Sequence, residues 1–140
     1  MMSHDMSLLP MLFSAIQKKM MEQHQKIMDK YGISKSHMPY IMMLKSNKEG
    51  MTQQELTEKS FLDKAHTSRS LKELLEKGYV EKENTSKYKN KFRLTEQGLE
   101  VAKAFKTEGA KVHKKVFEVL SEEEIQQLGK IVSKIYDAFE

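Results

Sequence analysis

Five side chains able to pair with a polyanion fall between positions 64 and 72 of this 140-residue chain: Lys64, His66, Ser68, Arg69 and Lys72. Four further cations, Lys87, Lys89, Lys91 and Arg93, follow them. A guanidinium such as that of Arg69 can meet guanine O6 and N7 with two parallel hydrogen bonds, or clamp a phosphate. Imidazole, hydroxyl and ammonium groups can reach base edges or nearby phosphates. The plainer reading of Arg69 is a salt bridge to Glu73, four residues on. Upstream, Thr52, Gln53 and Gln54 stand where a helix should begin. Free amides and hydroxyls at such a terminus can hold a phosphate.

The charge distribution points the same way. The chain carries 24 basic and 20 acidic residues, a net of +4. From Lys64 to Thr95 there are nine basic and four acidic residues, a net of +5, whereas the remainder has 15 and 16, a net of −1. Excess positive charge confined to one stretch suggests a polyanion partner; the plainer reading is a solvated lysine-rich surface.

Enzyme chemistry finds little footing. There is no glycine-rich phosphate loop and no nucleophile–base arrangement beyond chance. The histidines (His4, His24, His37, His66 and His113) are scattered, with no His-x-x-x-His pair. A zinc site would have to gather His24, His37 and His113 with a carboxylate across helices. No catalytic residue, cofactor or metal ligand is therefore assigned. The absence of cysteine excludes disulfides and thiolate sites. No apolar run approaches the roughly 18–20 residues that span a bilayer. The N-terminus has no basic residue before its short apolar run, so it makes a poor secretory signal. A cytoplasmic protein is the expectation.

The elements that position these groups can be read from periodicity and caps. Leu8 to Tyr31 reads as one long helix with an apolar stripe broad enough to suggest partner helices, closed by Gly32. Ser36 is expected to cap a helix over roughly His37 to Ser46, with Pro39 in its first turn. Thr52-Gln-Gln-Glu55 is a capping box opening a short helix to about Lys59. Asp63 caps the helix Lys64 to Lys77, with Leu71, Leu74 and Leu75 facing the core and the groups named above on another face. Gly78 ends that helix. Tyr79–Glu83 and Lys91–Leu94 read as paired strands around a polar tip, with Phe92 and Leu94 inward and Arg93 outward. Thr95 caps a helix from about Glu96 to Leu120, whose stripe includes Val112, Val116 and Val119. A second capping box, Ser121 to Glu124, opens the last helix.

In this order the pieces resemble the MarR family of transcription regulators over nearly the whole chain. The resemblance is carried by Met43-Leu44, Gly50-Met-Thr-Gln-Gln-Glu-Leu56, Leu62-Asp-Lys64, Thr67-Ser-Arg69, Leu74-Leu-Glu-Lys-Gly-Tyr-Val80 and Leu94-Thr-Glu-Gln-Gly98. It implies a mainly α fold with a small β-hairpin wing: a winged helix-turn-helix plus a helical dimerisation lobe. The expected division is a single domain over 1–140, with a DNA-binding lobe at about 33–95 and a dimerisation lobe at about 1–32 and 96–140. The helix from Lys64 would read the major groove of a pseudo-palindromic double-stranded DNA. Leu8, Leu12, Ile16, Val116, Leu120, Ile125, Leu128, Val132, Ile135 and Tyr136 would build the homodimer. The family often binds small aromatic effectors, and Met20, His24, Met42 and Met43 are the side chains such a ligand would meet.

Two features depart from the family. Many members carry an Asp-x-Arg element in the wing. Here the tip runs Asn84-Thr-Ser-Lys87-Tyr-Lys89-Asn90, about two residues shorter. Thr67 and Ser70 also stand where the family more often has aliphatic residues. A winged-helix adaptor for protein partners and a non-specific architectural DNA binder are the alternatives.

Overall fold

The computed structural model describes residues 6–84 and 89–139. The elements run α1 (Leu8–Tyr31), α2 (Met38–Ser46), β1 (Met51–Thr52), α3 (Gln53–Ser60), α4 (Lys64–Glu76), β2 (Val80–Asn84), β3 (Lys89–Leu94), α5 (Glu96–Phe117) and α6 (Glu122–Ala138). The fold is six helices with a three-stranded antiparallel sheet, in strand order β1-β3-β2.

Local chemistry sets most boundaries. Thr52 and Glu55 form the reciprocal capping box that opens α3, and Ser121 and Glu124 do the same for α6. Asp63 accepts from the His66 amide at the start of α4. Thr95 Oγ1 accepts from the Gly98 amide at the start of α5. Helix α4 ends in a Schellman turn: the Tyr79 and Gly78 amides donate to the carbonyls of Leu74 and Leu75, with Gly78 at φ +81°.

Three expectations need correction, and one element was not expected. Ser36 does not cap α2; His37 occupies the N-cap position without a side-chain cap bond, and Ser36 Oγ bonds Ser34 Oγ instead. Leu75 is exposed rather than in the core, because α4's inward face turns through Thr67, Ser70, Leu71 and Leu74. Helix α5 stops at Phe117, and Val119 is 85% exposed, since Ser121 begins the next helix almost at once. Strand β1 has no counterpart in the sequence reading. Two residues are too few to show alternation, and Met51 and Thr52 become a strand only by pairing with Phe92 and Lys91.

The chain divides into two compact units, Met1–Lys26 with Thr107–Glu140, and Ile27–Lys106. The second unit has a closed core that includes Tyr40, Ile41, Leu44, Leu56, Leu71, Leu74, Val80 and Phe92. Its hairpin pairs Val80 with Leu94 and Asn84 with Lys89, and a bulge leaves Asn90 extra at φ +61°. In the first unit, α6 has no buried residue among those described. Ile131, Val132, Ile135, Tyr136 and Phe139 are all exposed. No helix among the described residues is long and apolar enough to cross a membrane.

The first turn of α5 lies directly on the backbone of Tyr79. The Thr95 amide donates to the Tyr79 carbonyl at 3.1 Å, and a Cβ on Gly98 would lie 2.0 Å from that oxygen. Gly98→Ala should therefore force the two segments apart and cost about 1–3 kcal/mol or more in chemical unfolding. An unchanged unfolding midpoint would show that the contact can relax freely.

Candidate nucleic-acid interface

Helix α4 has two chemically distinct faces. Lys64, Ala65, Ser68, Arg69 and Lys72 are exposed, and His66 is half-buried. Thr67, Ser70, Leu71 and Leu74 are buried. The exposed residues are the cationic and polar group singled out in the sequence, now on one face of one helix.

Hydrogen bonds to α2 hold the buried face. Tyr40 Oη lies 2.7 Å from His66 Nδ1 and 3.1 Å from Thr67 Oγ1. Thr67 Oγ1 also lies 3.2 Å from the Asp63 carbonyl, and Ser70 Oγ donates to the Ser36 carbonyl at 3.4 Å. Thr67 and Ser70 thus spend their hydroxyls inside the fold, where an aliphatic residue would have supplied packing alone.

His37 completes this seam. The Ser34 amide donates to its Nδ1 at 3.0 Å, so the ring proton sits on Nε2, which donates to Glu73 Oε2 at 3.2 Å. Glu73 is therefore taken from across the seam, and Arg69 makes no ion pair with it among the described residues. Burial pushes the His37 pKa below its ordinary value. The hydrogen bond and charge of Glu73 oppose that shift, while Lys77 and His66 add to it.

At the start of α3, Thr52 Oγ1 accepts from the Glu55 amide, and Glu55 Oε1 accepts from the Thr52 amide. That amide bond holds the Glu55 carboxyl below its usual pKa. The Thr52 hydroxyl proton and the Gln53 and Gln54 amides are left for a ligand. Gln53, Gln54 and Lys64 come together at a cleft of about 580 Å³, also lined by Thr57, Glu58, Lys82, Asn90 and Phe92. Lys82 and Asn90 were not singled out from sequence. Strand register could have found Lys82, because it stands opposite Phe92, with its Nζ 5.4 Å from that ring's centre.

The wing residues separate. Arg93 is ion-paired with Glu83 on the neighbouring strand and donates to the Glu49 carbonyl, so its guanidinium is engaged within the protein. Lys91 is half-buried and stands opposite Thr52 and Glu83 in the two strand pairs. Lys89 enters the sheet through its backbone, and Lys87 lies outside the described residues.

The remaining assignments fall as follows. Leu8, Leu12, Ile125, Val132, Ile135 and Tyr136 are exposed; Ile16, Val116, Leu120 and Leu128 are half-buried. Ile16, Phe117, Ile125, Leu128 and Val132, with His113, line an apolar groove of about 650 Å³ in the first unit. Met20 is half-buried and His24 buried in that unit; Met42 and Met43 are half-buried in the other.

Residues 31–87, from the end of α1 into the wing, match the model of the MarR family. Over that segment the chain is similar to the MarR family. Members of this family are transcription regulators, not enzymes. No curated protein matches the sequence. The fold is similar to that of a MarR transcriptional regulator from Methanosarcina mazei Go1, at 19% identity and a TM-score of 0.79, over 94% of this chain and 96% of that one. A point mutant of MepR from a multidrug-resistant S. aureus clinical isolate is also similar, at 19% identity and a TM-score of 0.80, over 99% and 100% of the two chains. NadR in complex with 4-hydroxyphenylacetate aligns at 17% identity and a TM-score of 0.74, over 97% and 96%. The fold shared with these proteins is built here with an α4 anchored through hydroxyls and an imidazole.

The His37 geometry has a pH consequence. Its folded pKa is depressed, so the unfolded chain binds the proton first. The stability tied to neutral His37 is present above the unfolded value near 6.5 and is lost as pH falls through the lower folded value. Urea unfolding between pH 8 and pH 5 should therefore lose stability more steeply in the wild type than in His37→Gln. Parallel curves for the two proteins would refute this origin.

Proposed function

We propose that the protein is a homodimeric transcription regulator of the repressor type that binds a pseudo-palindromic double-stranded DNA. One observation carries the reading: α4 presents Lys64, Ser68, Arg69 and Lys72 outward, with Arg69 released from Glu73 by His37. An α-helix fits the major groove, where a free guanidinium can pair with a guanine edge. Thr52, Gln53, Gln54 and Lys64 serve phosphates beside the groove, joined by Lys82. Lys87, Lys89 and Lys91 supply phosphate contacts from the wing. Arg93 braces the wing through Glu83 instead of meeting DNA.

The unburied apolar face of α6 supports the dimer. A second copy would cover Ile125, Val132, Ile135 and Tyr136 together with Leu8 and Leu12 of α1. Two α4 helices would then enter successive major grooves, roughly 34–36 Å apart. A small aromatic acid releasing the DNA belongs to the same proposal, supported by the NadR complex with 4-hydroxyphenylacetate. Met20 and His24 of the first unit are its proposed contacts. A cytoplasmic site of action goes with this reading.

Selection of bound duplexes from a random library at two salt concentrations tests the function. The expected result is an enriched inverted repeat with half-sites one turn apart, and affinity that falls steeply with salt. Binding without an enriched motif would sink the sequence-specific reading. On the enriched site, Arg69→Ala should cost about 1–3 kcal/mol; an unchanged affinity would remove Arg69 from the interface.

For the dimer, Val132→Glu would place a charge in the proposed apolar contact. Sedimentation at micromolar concentration should show a dimer for the wild type and a monomer for the variant. A variant that remains dimeric would exclude this face.

A further inference from the structure

We propose that Tyr40 is a positioning residue for DNA recognition: it fixes the His66 imidazole as a hydrogen-bond donor that reads an acceptor on one base edge of each half-site. The inference rests on the DNA-binding reading above and adds to it a residue that is itself out of reach of DNA. Tyr40 is fully buried on α2, whereas His66 is half-buried in the first turn of α4.

The proton positions follow from the chain of contacts. Asp63 Oδ1 accepts from the His66 amide at 2.7 Å, which fixes the backbone of that residue. Thr67 has one hydroxyl proton and two acceptors, the Asp63 carbonyl at 3.2 Å and Tyr40 Oη at 3.1 Å, and the shorter contact, to Tyr40, takes it. Tyr40 Oη accepts from Thr67 and has one proton of its own, with His66 Nδ1 at 2.7 Å. That nitrogen takes it. Nδ1 is then an acceptor, so the neutral ring must carry its own hydrogen on Nε2. The two rings also pack against each other, with centroids 5.8 Å apart at 35°. The imidazole is thereby held in one plane as well as one tautomer. Among the described residues Nε2 has no hydrogen-bond partner, so its N–H is the group left for a ligand.

A fixed N–H in the major groove matches purine N7, guanine O6 or thymine O4, and is mismatched against the amino groups of cytosine and adenine. Without the Tyr40 hydroxyl, His66 can take either tautomer and Nε2 presents a donor only part of the time. The chemistry assigned to Tyr40 is therefore preference at one base pair, not affinity in general.

The test is random-library selection with the full-length wild type, Tyr40→Phe, His66→Ala and the double variant. The expected result is that the wild type enriches an inverted repeat, and that Tyr40→Phe and His66→Ala relax the same base pair by roughly 3- to 10-fold, the range of one hydrogen bond. The double variant should relax it no further than His66→Ala alone. If His66→Ala relaxes a base pair that Tyr40→Phe leaves intact, or Tyr40→Phe weakens all sequences equally, the positioning role falls and the DNA-binding reading stands. If the wild type enriches no sequence, both fall. Nitrogen-detected NMR of the imidazoles in the free wild-type protein decides the same point even if Tyr40→Phe does not fold. The Nε2–H tautomer at His66 supports the proposal, and an Nδ1–H tautomer overturns it.

Discussion

The row of hydrogen bonds between α2 and α4 is the constraint on which the exposed face depends. A helix packed only through Leu71 and Leu74 could turn or slide by a fraction of a residue with little loss, because dispersion contacts are weakly directional. Hydrogen bonds weaken steeply when bent, and a buried hydroxyl left unpaired costs about 1–3 kcal/mol. Tyr40 to His66 and Thr67, Ser70 to the Ser36 carbonyl, and His37 to Glu73 therefore set the rotation of α4 about its axis. Every side chain on the far face, Arg69 included, inherits its direction from that row.

The same seam redistributes charge. Glu73 had two possible partners, Arg69 on its own helix and His37 across the seam. With Glu73 paired to His37, the exposed Arg69 makes no ion pair with it among the described residues. In the wing the outcome is reversed: Glu83 lies on the strand beside Arg93 and takes it. Two arginines that look alike in sequence thus end with opposite roles, one facing outward and one bracing the sheet. Among the described residues, Lys64, Arg69, Lys72, Lys77 and Lys82 carry the basic character of the stretch to the surface.

Apolar surface is divided just as unevenly. The unit built on α2, α3, α4 and the sheet closes its own core around Tyr40, Leu44, Leu56, Leu71 and Leu74. Helix α6 is strongly amphipathic, yet buries none of its described residues within one chain. Burying apolar surface is the main favourable term in folding, and this open face is what the proposed dimer would cover. Under the dimer proposed above, the stability of the first unit becomes dependent on concentration.

Much of this was legible in the sequence because it is local. The two capping boxes, Asp63, Thr95 and the glycines at 32 and 78 placed the helix ends, since caps bind amides or carbonyls within a few residues. Helical spacing separated Lys64, Ser68, Arg69 and Lys72 from Leu71 and Leu74. What the sequence could not settle was the pairing of polar groups across elements. Strand β1 exists only through β3, His37 replaced Ser36 at the start of α2, and Glu73 chose His37 over Arg69. Nothing local in the sequence distinguishes Tyr40 from an ordinary core residue. Local spacing encodes neighbours three or four positions apart on a helix, or two apart on a strand. It carries no distance between Tyr40 and His66, 26 residues away, and that distance is set only when the helices pack.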